Sequence, residues 1–395
     1  MRILLLSPKG GFFGGVEQHV FDIAVGLNEA GHDCHLGFGE WTGRSDDVWQ
    51  HRFPCHPVRE LGAASGSTLD ELVERLAPEV VYGHKIEPVI PQLVELNRKL
   101  DRWAMIHDHD LVCPRRHKYF AWTGRVCHRP MSAFCLLDGA SVQKSADGRL
   151  ALQSLRPKLR RLRAARRLGG LVVASRFMRD QLVENGCDPR RIKRLAPVPR
   201  RPPQILAEGD LGSPSDGTEI LFVGQLIRGK GCDLLLRAVS RAATALTVRV
   251  VGDGNARSKL QVLARRLGLD EWVRFEGWVD NASLGKFYRR ARMVVMPGRW
   301  PEPFGLVGLE SMAHRRPVVA FDVGGVRDWL DDGKTGLLVG EQDIEALTSA
   351  IDRLASDDEL VTRLGKEACR SYHRRFRFEP YLRRLVDVLR EGAGR

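Results

Sequence analysis

Pro301-Glu302-Pro303-Phe304-Gly305-Leu306-Val307-Gly308-Leu309-Glu310-Ser311-Met312-Ala313 sets two carboxylates eight positions apart across a junction of loop and helix. Pro303 and Gly305 disfavour helix, whereas Leu306 to Ala313 can form one. Glu302 is therefore expected in the entering loop and Glu310 about one turn inside. The amides from Phe304 to Val307 fall at the partly positive end of that helix and suit a phosphate or a sugar hydroxyl. An ionised carboxylate can accept from two vicinal hydroxyls at once. Read alone, the same residues also describe an ordinary helix start with surface glutamates.

The flanking chain has the length for two domains of about 150 to 200 residues, each with its own core. Charged residues at 28% and hydrophobic residues at 43% are ordinary for a globular protein and exclude a disordered chain. No apolar run approaches the roughly 18 residues that a membrane span needs. The amino terminus reads directly into a strand, Arg2 to Ser7, so a cytosolic protein is expected. Eight cysteines spread over 395 residues do not form a disulfide scaffold pattern, and a cytosol keeps them reduced.

A formal charge of +13 favours anionic partners: phosphorylated substrates, an anionic membrane surface or nucleic acid. The densest basic stretch, Arg149 to Gly170, has no acidic residue, and Leu152, Leu155, Leu159 and Leu162 recur at steps of three and four. It predicts a basic amphipathic helix. Its leucines either pack on their own domain or, in a second reading, lie on a membrane surface.

Strand and helix patterns alternate: strand 2 to 7, helix 16 to 30, strand 33 to 38, helix 68 to 76, strand 80 to 83 and helix 88 to 99. Strand 103 to 107, an irregular insert to about 148, the basic helix, strand 171 to 174 and helix 176 to 185 follow. Such alternation implies parallel sheets flanked by helices. Prolines and glycines crowd residues 197 to 218, marking a linker at 201–218 between a first domain, 1–200, and a second, 219–377. The second half repeats the pattern, with strands near 219 to 224, 247 to 251, 273 to 276, 293 to 296, 317 to 320 and 337 to 339.

Five further segments stand in order with the opening stretch. Phe222-Val223-Gly224-Gln225-Leu226-Ile227-Arg228-Gly229-Lys230-Gly231 reads as a strand, a glycine turn and two cations; Val250-Val251-Gly252-Asp253-Gly254 reads as the next strand end. Pro317-Val318-Val319-Ala320, Gly324-Gly325-Val326 and Asp332-Gly333-Lys334-Thr335-Gly336-Leu337-Leu338-Val339 complete the series. Together these resemble the Glu-x7-Glu signature and accompanying motifs of family 4 retaining glycosyltransferases (glycosyl transferases group 1) over most of residues 219 to 340. Before residue 200 the resemblance is looser, resting on a glycine-rich start and one histidine segment.

The resemblance implies an α/β protein of GT-B fold, two Rossmann-like domains with parallel sheets facing across a cleft, and a ligand at the carboxyl ends of the strands. It also implies that Tyr372 to Leu389, about 378–392 in the helix proper, crosses back to the first domain. Arg228 and Lys230, after a strand and a glycine turn, can reach a diphosphate and stabilise the negative charge that grows as the glycosidic bond breaks. By resemblance, Glu310 accepts from ribose hydroxyls and Glu302 contacts the donor sugar near its reacting end. His107, in Met105-Ile106-His107-Asp108-His109-Asp110, resembles the family's active-site histidine, with His109 an equally near candidate. Gly14 and Gly15, in Gly10-Gly11-Phe12-Phe13-Gly14-Gly15-Val16-Glu17, permit close backbone approach, and the corresponding loop of the family faces donor and acceptor; Glu17 is a poorer candidate. The donor-binding set is thus Gly14, Gly15, Gly224, Arg228, Lys230, Phe304, Gly305, Leu306 and Glu310, and the catalytic set His107, Glu302, Arg228 and Lys230.

The family implies retention of anomeric configuration without a covalent intermediate, and no required cofactor or catalytic metal. The donor is a nucleotide-diphosphate sugar, of uridine or guanosine; the acceptor hydroxyl belongs to a glycan, a small molecule or a lipid-linked glycan. A cytoplasmic enzyme is expected, with peripheral contact at the inner membrane open and nucleic acid not expected as a partner. The alternatives are a nucleotide-sugar epimerase of the same fold and a non-catalytic basic scaffold binding membrane or nucleic acid. Two departures from the family stand out: His314-Arg315-Arg316 replaces the usual glycine after the signature helix, placing Arg315 in a left-handed conformation or altering the turn, and Asp328 replaces a glutamate. Cys113, Cys127 and Cys135, with His109, His117 and His128 nearby, offer enough ligands for a structural zinc, though their spacing matches no metal motif and free thiols are the plainer reading.

Overall fold

The computed structural model describes residues 1–96, 100–120, 123–137, 142–144, 150–152, 154–200, 219–244 and 246–393. The expected linker 201–218 lies outside them, as do Asn97 to Lys99 at the end of the expected helix 88 to 99 and Arg149 at the start of the basic one. Two compact units result. One comprises Met1–Lys118, His128–Arg200 and Phe378–Arg395; the other comprises Tyr119–Cys127 and Arg201–Arg377. Tyr119 to Cys127, expected within the first domain, therefore groups with the second unit.

The first unit holds β1 (Arg2–Gly10), β2 (Asp33–Trp41), β3 (Cys55–Pro57), β4 (Val80–His84), β5 (Asp101–Ile106), β6 (Val142–Lys144), β7 (Leu150–Leu152), β8 (Gly170–Val173) and β9 (Ile192–Arg194). Seven of them form a parallel sheet in the order β3-β2-β1-β4-β5-β8-β9, while β6 and β7 pair antiparallel. Ile3 to Leu6 are wholly buried, as expected of a strand covered on both faces. Strand order reverses beside β1, where the crossovers to β2 and β4 go opposite ways, which leaves a crevice at their carboxyl ends.

The basic helix is shorter than its leucine spacing predicts. It runs Arg156–Ala165 because Pro157, lacking an N–H, is tolerated only in a first turn; Leu150 to Leu152 is strand instead. Leu162, Ala164 and Ala165 join the unit's core with Leu159 against it, while Arg156, Arg160 and Arg163 stay exposed. Leu159 and Leu162 of the stripe thus pack on their own unit. Tyr372 to Leu389 is likewise not one element: one helix ends at Arg375 and another, Phe378–Ala393, begins after Phe376 takes an extended φ of −122°. That last helix packs on the helix Gly15–Glu29 and on β5. Gly26 makes room for it, since a Cβ there would lie 2.7 Å from the Phe378 ring.

The second unit repeats the plan with β10 (Glu219–Val223), β11 (Thr247–Val251), β12 (Val273–Gly277), β13 (Ala291–Met296), β14 (Val318–Phe321) and β15 (Gly336–Val339). All are parallel, in the order β12-β11-β10-β13-β14-β15. The reversal here lies between β10 and β13, so the loops after these two strands meet at one crevice. The helix Leu306–Ala313 is seated by Trp329, which is fully buried and donates its indole N–H to the Phe304 carbonyl at 2.6 Å.

A Cβ on Gly308 would lie 2.2 Å from the Trp329 ring, so even Gly308→Ala must displace an anchored indole. The expected loss is about 1 to 3 kcal/mol, read from the denaturant midpoint, as for overpacked cores in general. An unchanged midpoint would show that the indole does not rest against this helix.

Candidate active site

In the second unit, Gly224 follows β10 at φ 150°, and Arg228–Lys230 makes one 3-10 turn closed by Gly231 at φ 71°. A Cβ on Gly231 would lie 1.8 Å from the Pro297 carbonyl oxygen, so the turn is pressed against the loop leaving β13 and only glycine fits. Backbone and side chain lace the two loops together. The Trp300 N–H donates to the Gly229 carbonyl at 3.0 Å, and Arg299 donates to the Arg228 carbonyl at 3.1 Å. Arg299 is itself held by two 2.7 Å bonds to Asp233, a fork that fixes its plane. Lys230 Nζ then lies 2.7 Å from Glu302 Oε2 and 5.9 Å from the centre of the Trp300 ring. Arg228 is exposed, with Tyr119 nearby: burial raises the Tyr119 hydroxyl pKa while Arg228 and Arg299 oppose it.

Glu302 is fixed through its backbone. Its carbonyl accepts from the Gly325 N–H at 2.6 Å, and a Cβ on Gly324 (φ 62°) would lie 2.3 Å from that carbonyl oxygen. Gly305, at φ 103°, caps the helix Leu306–Ala313, whose first-turn amides have no partner within the helix. Glu310, one turn in and half-buried, accepts from the Tyr288 hydroxyl at 2.6 Å. Burial pushes its carboxyl above the usual range, and the Tyr288 bond opposes that. Tyr288 stacks on His314, with centroids 4.9 Å apart and 16° between planes. Burial pushes the His314 imidazole down to about 4. Arg315 takes φ 57°, the left-handed conformation that the missing glycine required.

In the first unit, His107 follows β5 and His84 ends β4; His84 Nδ1 and His107 Nε2 are 3.0 Å apart. His19, in the helix after β1, lies 5.9 Å and 6.0 Å from their rings and bonds the Tyr381 hydroxyl through Nε2 at 3.1 Å. Burial depresses all three imidazoles, His19 to about 3 and the other two well below 6.5, with the neighbouring imidazoles adding to the shift of the pair. His109, the competing candidate, is wholly buried and edge-on to Phe177 at 5.8 Å, whereas His107 is half-buried. Glu87 is also buried here, its carboxyl pushed up to about 8 by burial and by Asp108.

The second unit thus gathers Arg228, Lys230, Glu302, Phe304, Gly305, Leu306 and Glu310 around the ends of β10 and β13, with Gly224 at the first of them. Gly14 and Gly15 are exposed in the first unit, and Gly14 caps its helix with an extended φ of −161°, open to any residue. The conformational demand in that loop falls on Gly11, at φ 89°, where a Cβ would lie 2.2 Å from Asp46 Oδ1. Glu17 is buried. Among the described residues no three His, Cys, Asp or Glu side chains are grouped to hold a metal. Sequence reading missed Tyr288, Tyr119, Arg299 with Asp233, and the pair His19 and His84. Tyr288 and His84 carry no motif, and Tyr119 is remote in sequence from the turn it adjoins.

The family described as "Glycosyl transferases group 1" matches residues 206–370, and that described as "Glycosyltransferase Family 4" matches residues 13–197. A D-inositol 3-phosphate glycosyltransferase of Streptomyces avermitilis is 38% identical over 176 residues, 42% of this chain and 38% of the relative. One from Thermomonospora curvata is 36% identical over 232 residues, 53% of each chain. The chain therefore spans about two fifths to half the length of these curated relatives. Among solved structures, Anabaena Alr3699/HepE in complex with UDP-glucose aligns over 99% of this chain and 100% of its own, with a TM-score of 0.76 at 18% identity, a likeness of fold.

His19 gives a test of the buried imidazoles. Its folded-state pKa of about 3 lies below the ordinary 6.5, so on acidification the unfolded chain takes up the proton first. Stability present above pH 6.5 is lost as pH falls through 6.5 towards 3. Against His19→Phe, the parent should lose about 1.4 kcal/mol for each pH unit below that point in paired chemical melts. Parallel curves for the two proteins would mean that His19 is solvated.

Proposed function

We propose that this chain, which belongs to the family 4 glycosyltransferases and has their GT-B fold of two parallel-sheet units, transfers a sugar from a nucleotide-diphosphate sugar to a hydroxyl acceptor. The single observation that carries the proposal is the meeting of Lys230 and Glu302 at 2.7 Å beside Arg228, where β10 and β13 end. A cation and an acid held together at a crevice beside open helix amides match a ligand with a diphosphate and vicinal hydroxyls. UDP-glucose in the Anabaena structure supports a uridine diphosphate sugar as the donor class.

Roles follow from chemistry. Arg228 and Lys230 face the diphosphate, whose charge grows as the glycosidic bond breaks, so fixed cations favour the transition state over the ground state. The amides of Gly305 and Leu306 add donors to the same anion. Glu310, oriented by Tyr288, accepts from the ribose hydroxyls; Glu302 accepts from the donor sugar once Lys230 turns to phosphate. His107 contacts the sugar at its reacting end. We further assign retention of anomeric configuration, with the leaving phosphate oxygen taking the acceptor's proton on the same face of the sugar. No step requires a metal. The acceptor belongs to the first unit, and a lipid-linked glycan at a cytoplasmic membrane face fits the net charge of +13.

Glu302→Ala should lower turnover about 10- to 150-fold, the loss of one hydrogen bond to a charged acceptor, with the folded melting profile kept. The assay is release of nucleoside diphosphate from a panel of nucleotide sugars with candidate acceptors, and the product is scored for anomeric configuration. Full turnover by folded Glu302→Ala removes the assignment of that residue; an inverted product removes the retaining mechanism; sugar isomerisation without an acceptor replaces transferase by epimerase.

A further inference from the structure

The paired register of β4 and β5 sets His84 opposite Met105, so with a two-residue period His107 falls on the same side as Met105. The rings of His84 and His107 meet with centroids 5.2 Å apart and 35° between planes, their facing nitrogens at 3.0 Å. Two imidazole nitrogens at that distance cannot both carry protons or both be bare; one donates and the other accepts.

We propose that His84 is a positioning residue that holds His107 in the tautomer with its proton on Nδ1. The choice between the two arrangements rests on the far nitrogen of His84. That Nε2 is buried with no protein partner, and His84 itself is fully inaccessible. Were His107 to donate from Nε2, His84 would accept at Nδ1 and carry its own proton on Nε2, an orphaned buried N–H. A buried donor left without a partner costs about 1 to 3 kcal/mol, and such N–H groups are rarer in native interiors than under-satisfied acceptors. With the proton on His84 Nδ1, the orphan becomes a bare lone pair and His107 Nε2 is satisfied. His107 then keeps its own proton on Nδ1.

The surroundings keep both rings neutral, which the assignment requires. His84 packs edge-on to Tyr82 at 4.5 Å, His19 adjoins both rings, and Lys85 lies close enough to lower the His107 pKa further. No cation is stabilised there. Free imidazole side chains prefer the Nε2–H form, so the pair imposes the less common one. The consequence for chemistry rests on the role given to His107 above: a neutral N–H with fixed direction can donate to a sugar oxygen without adding positive charge.

The test is long-range proton–nitrogen correlation spectroscopy on the full chain labelled with 15N-histidine at pH 7.5, with His107 identified by its loss in His107→Gln. The Nδ1–H pattern for His107 is expected. His84→Phe should switch it to Nε2–H, whereas His84→Asn, whose amide can donate in place of Nδ1–H, should keep it. Turnover should fall about 5- to 10-fold in His84→Phe with KM changed less, as for one lost hydrogen bond, and return largely in His84→Asn. If His84→Phe does not fold, the spectra of the parent and of His84→Asn decide. A proton on His107 Nε2 in the parent overturns the inference, as does an unchanged tautomer in folded His84→Phe. Full activity of His107→Gln would instead overturn the role of His107 in transfer and leave the tautomer standing.

Discussion

The closeness of Gly231 to the Pro297 carbonyl governs the second unit, because it leaves no space for a side chain between the loops that follow β10 and β13. Parallel strands cannot by themselves bring such loops together; they only end side by side. Once the loops touch, the Arg299 fork to Asp233 and the Trp300 to Gly229 bond become possible, and Lys230 has one direction to extend. That direction meets Glu302. The resulting pair is partly exposed, at 30% and 17%, so its own contribution to folding is modest, on the order of 0 to 1 kcal/mol. Its consequence is positional: a cation is held ready, and an anion that displaces the carboxylate frees that carboxylate to accept elsewhere.

The two glutamates of the signature differ in what surrounds them, and the difference separates their chemistry. Glu302 has a cation against it and stays accessible to exchange partners. Glu310 has a neutral phenol against it, the Tyr288 hydroxyl, itself raised well above its ordinary pKa by burial and by that carboxyl. A carboxyl with a single fixed donor and a burial-raised pKa is suited to receive further neutral hydroxyls, which satisfy it without adding charge. Tyr288 stacked on His314 keeps the donor in place. Eight residues of spacing therefore place two acids one helical turn and one loop apart, with electrostatics set by residues outside the motif.

The strands were legible because both faces of a parallel sheet are covered, so their sequences run apolar, as in Val318 to Phe321 of β14, which is buried throughout. The basic helix was misjudged because leucine spacing continues upstream of Pro157, and periodicity carries no information about a missing N–H. The same blindness joined Tyr372 to Leu389, where the apolar rhythm runs on through a backbone break at Phe376. At the site, Glu302, Glu310, Arg228 and Lys230 were legible because turn-forming glycines and prolines flank them. Tyr119 and Tyr288 were not, since proximity across distant segments leaves no local trace. His84 is the sharpest case: a single histidine closing a buried strand reads as core, and only the three-dimensional contact of its ring shows that it faces His107.

The first unit solves a different problem. Three imidazoles close together and without a carboxylate paired to them would be costly if charged, and burial resolves this by keeping them neutral. Neutral rings must then meet their hydrogen-bonding needs with fixed tautomers: His19 through Tyr381, His107 through His84. Tyr381 belongs to the last helix of the chain, so His19 keeps its partner only while Phe378–Ala393 is docked on the helix Gly15–Glu29. The division of labour is physical. Charge is held by ion pairs where a diphosphate is proposed to bind, and direction without charge is held by neutral rings where sugar is proposed to react. A protonated imidazole in the latter place would oppose positive charge developing on a sugar ring, which makes neutrality, and hence depth of burial, the property that the first unit's fold supplies.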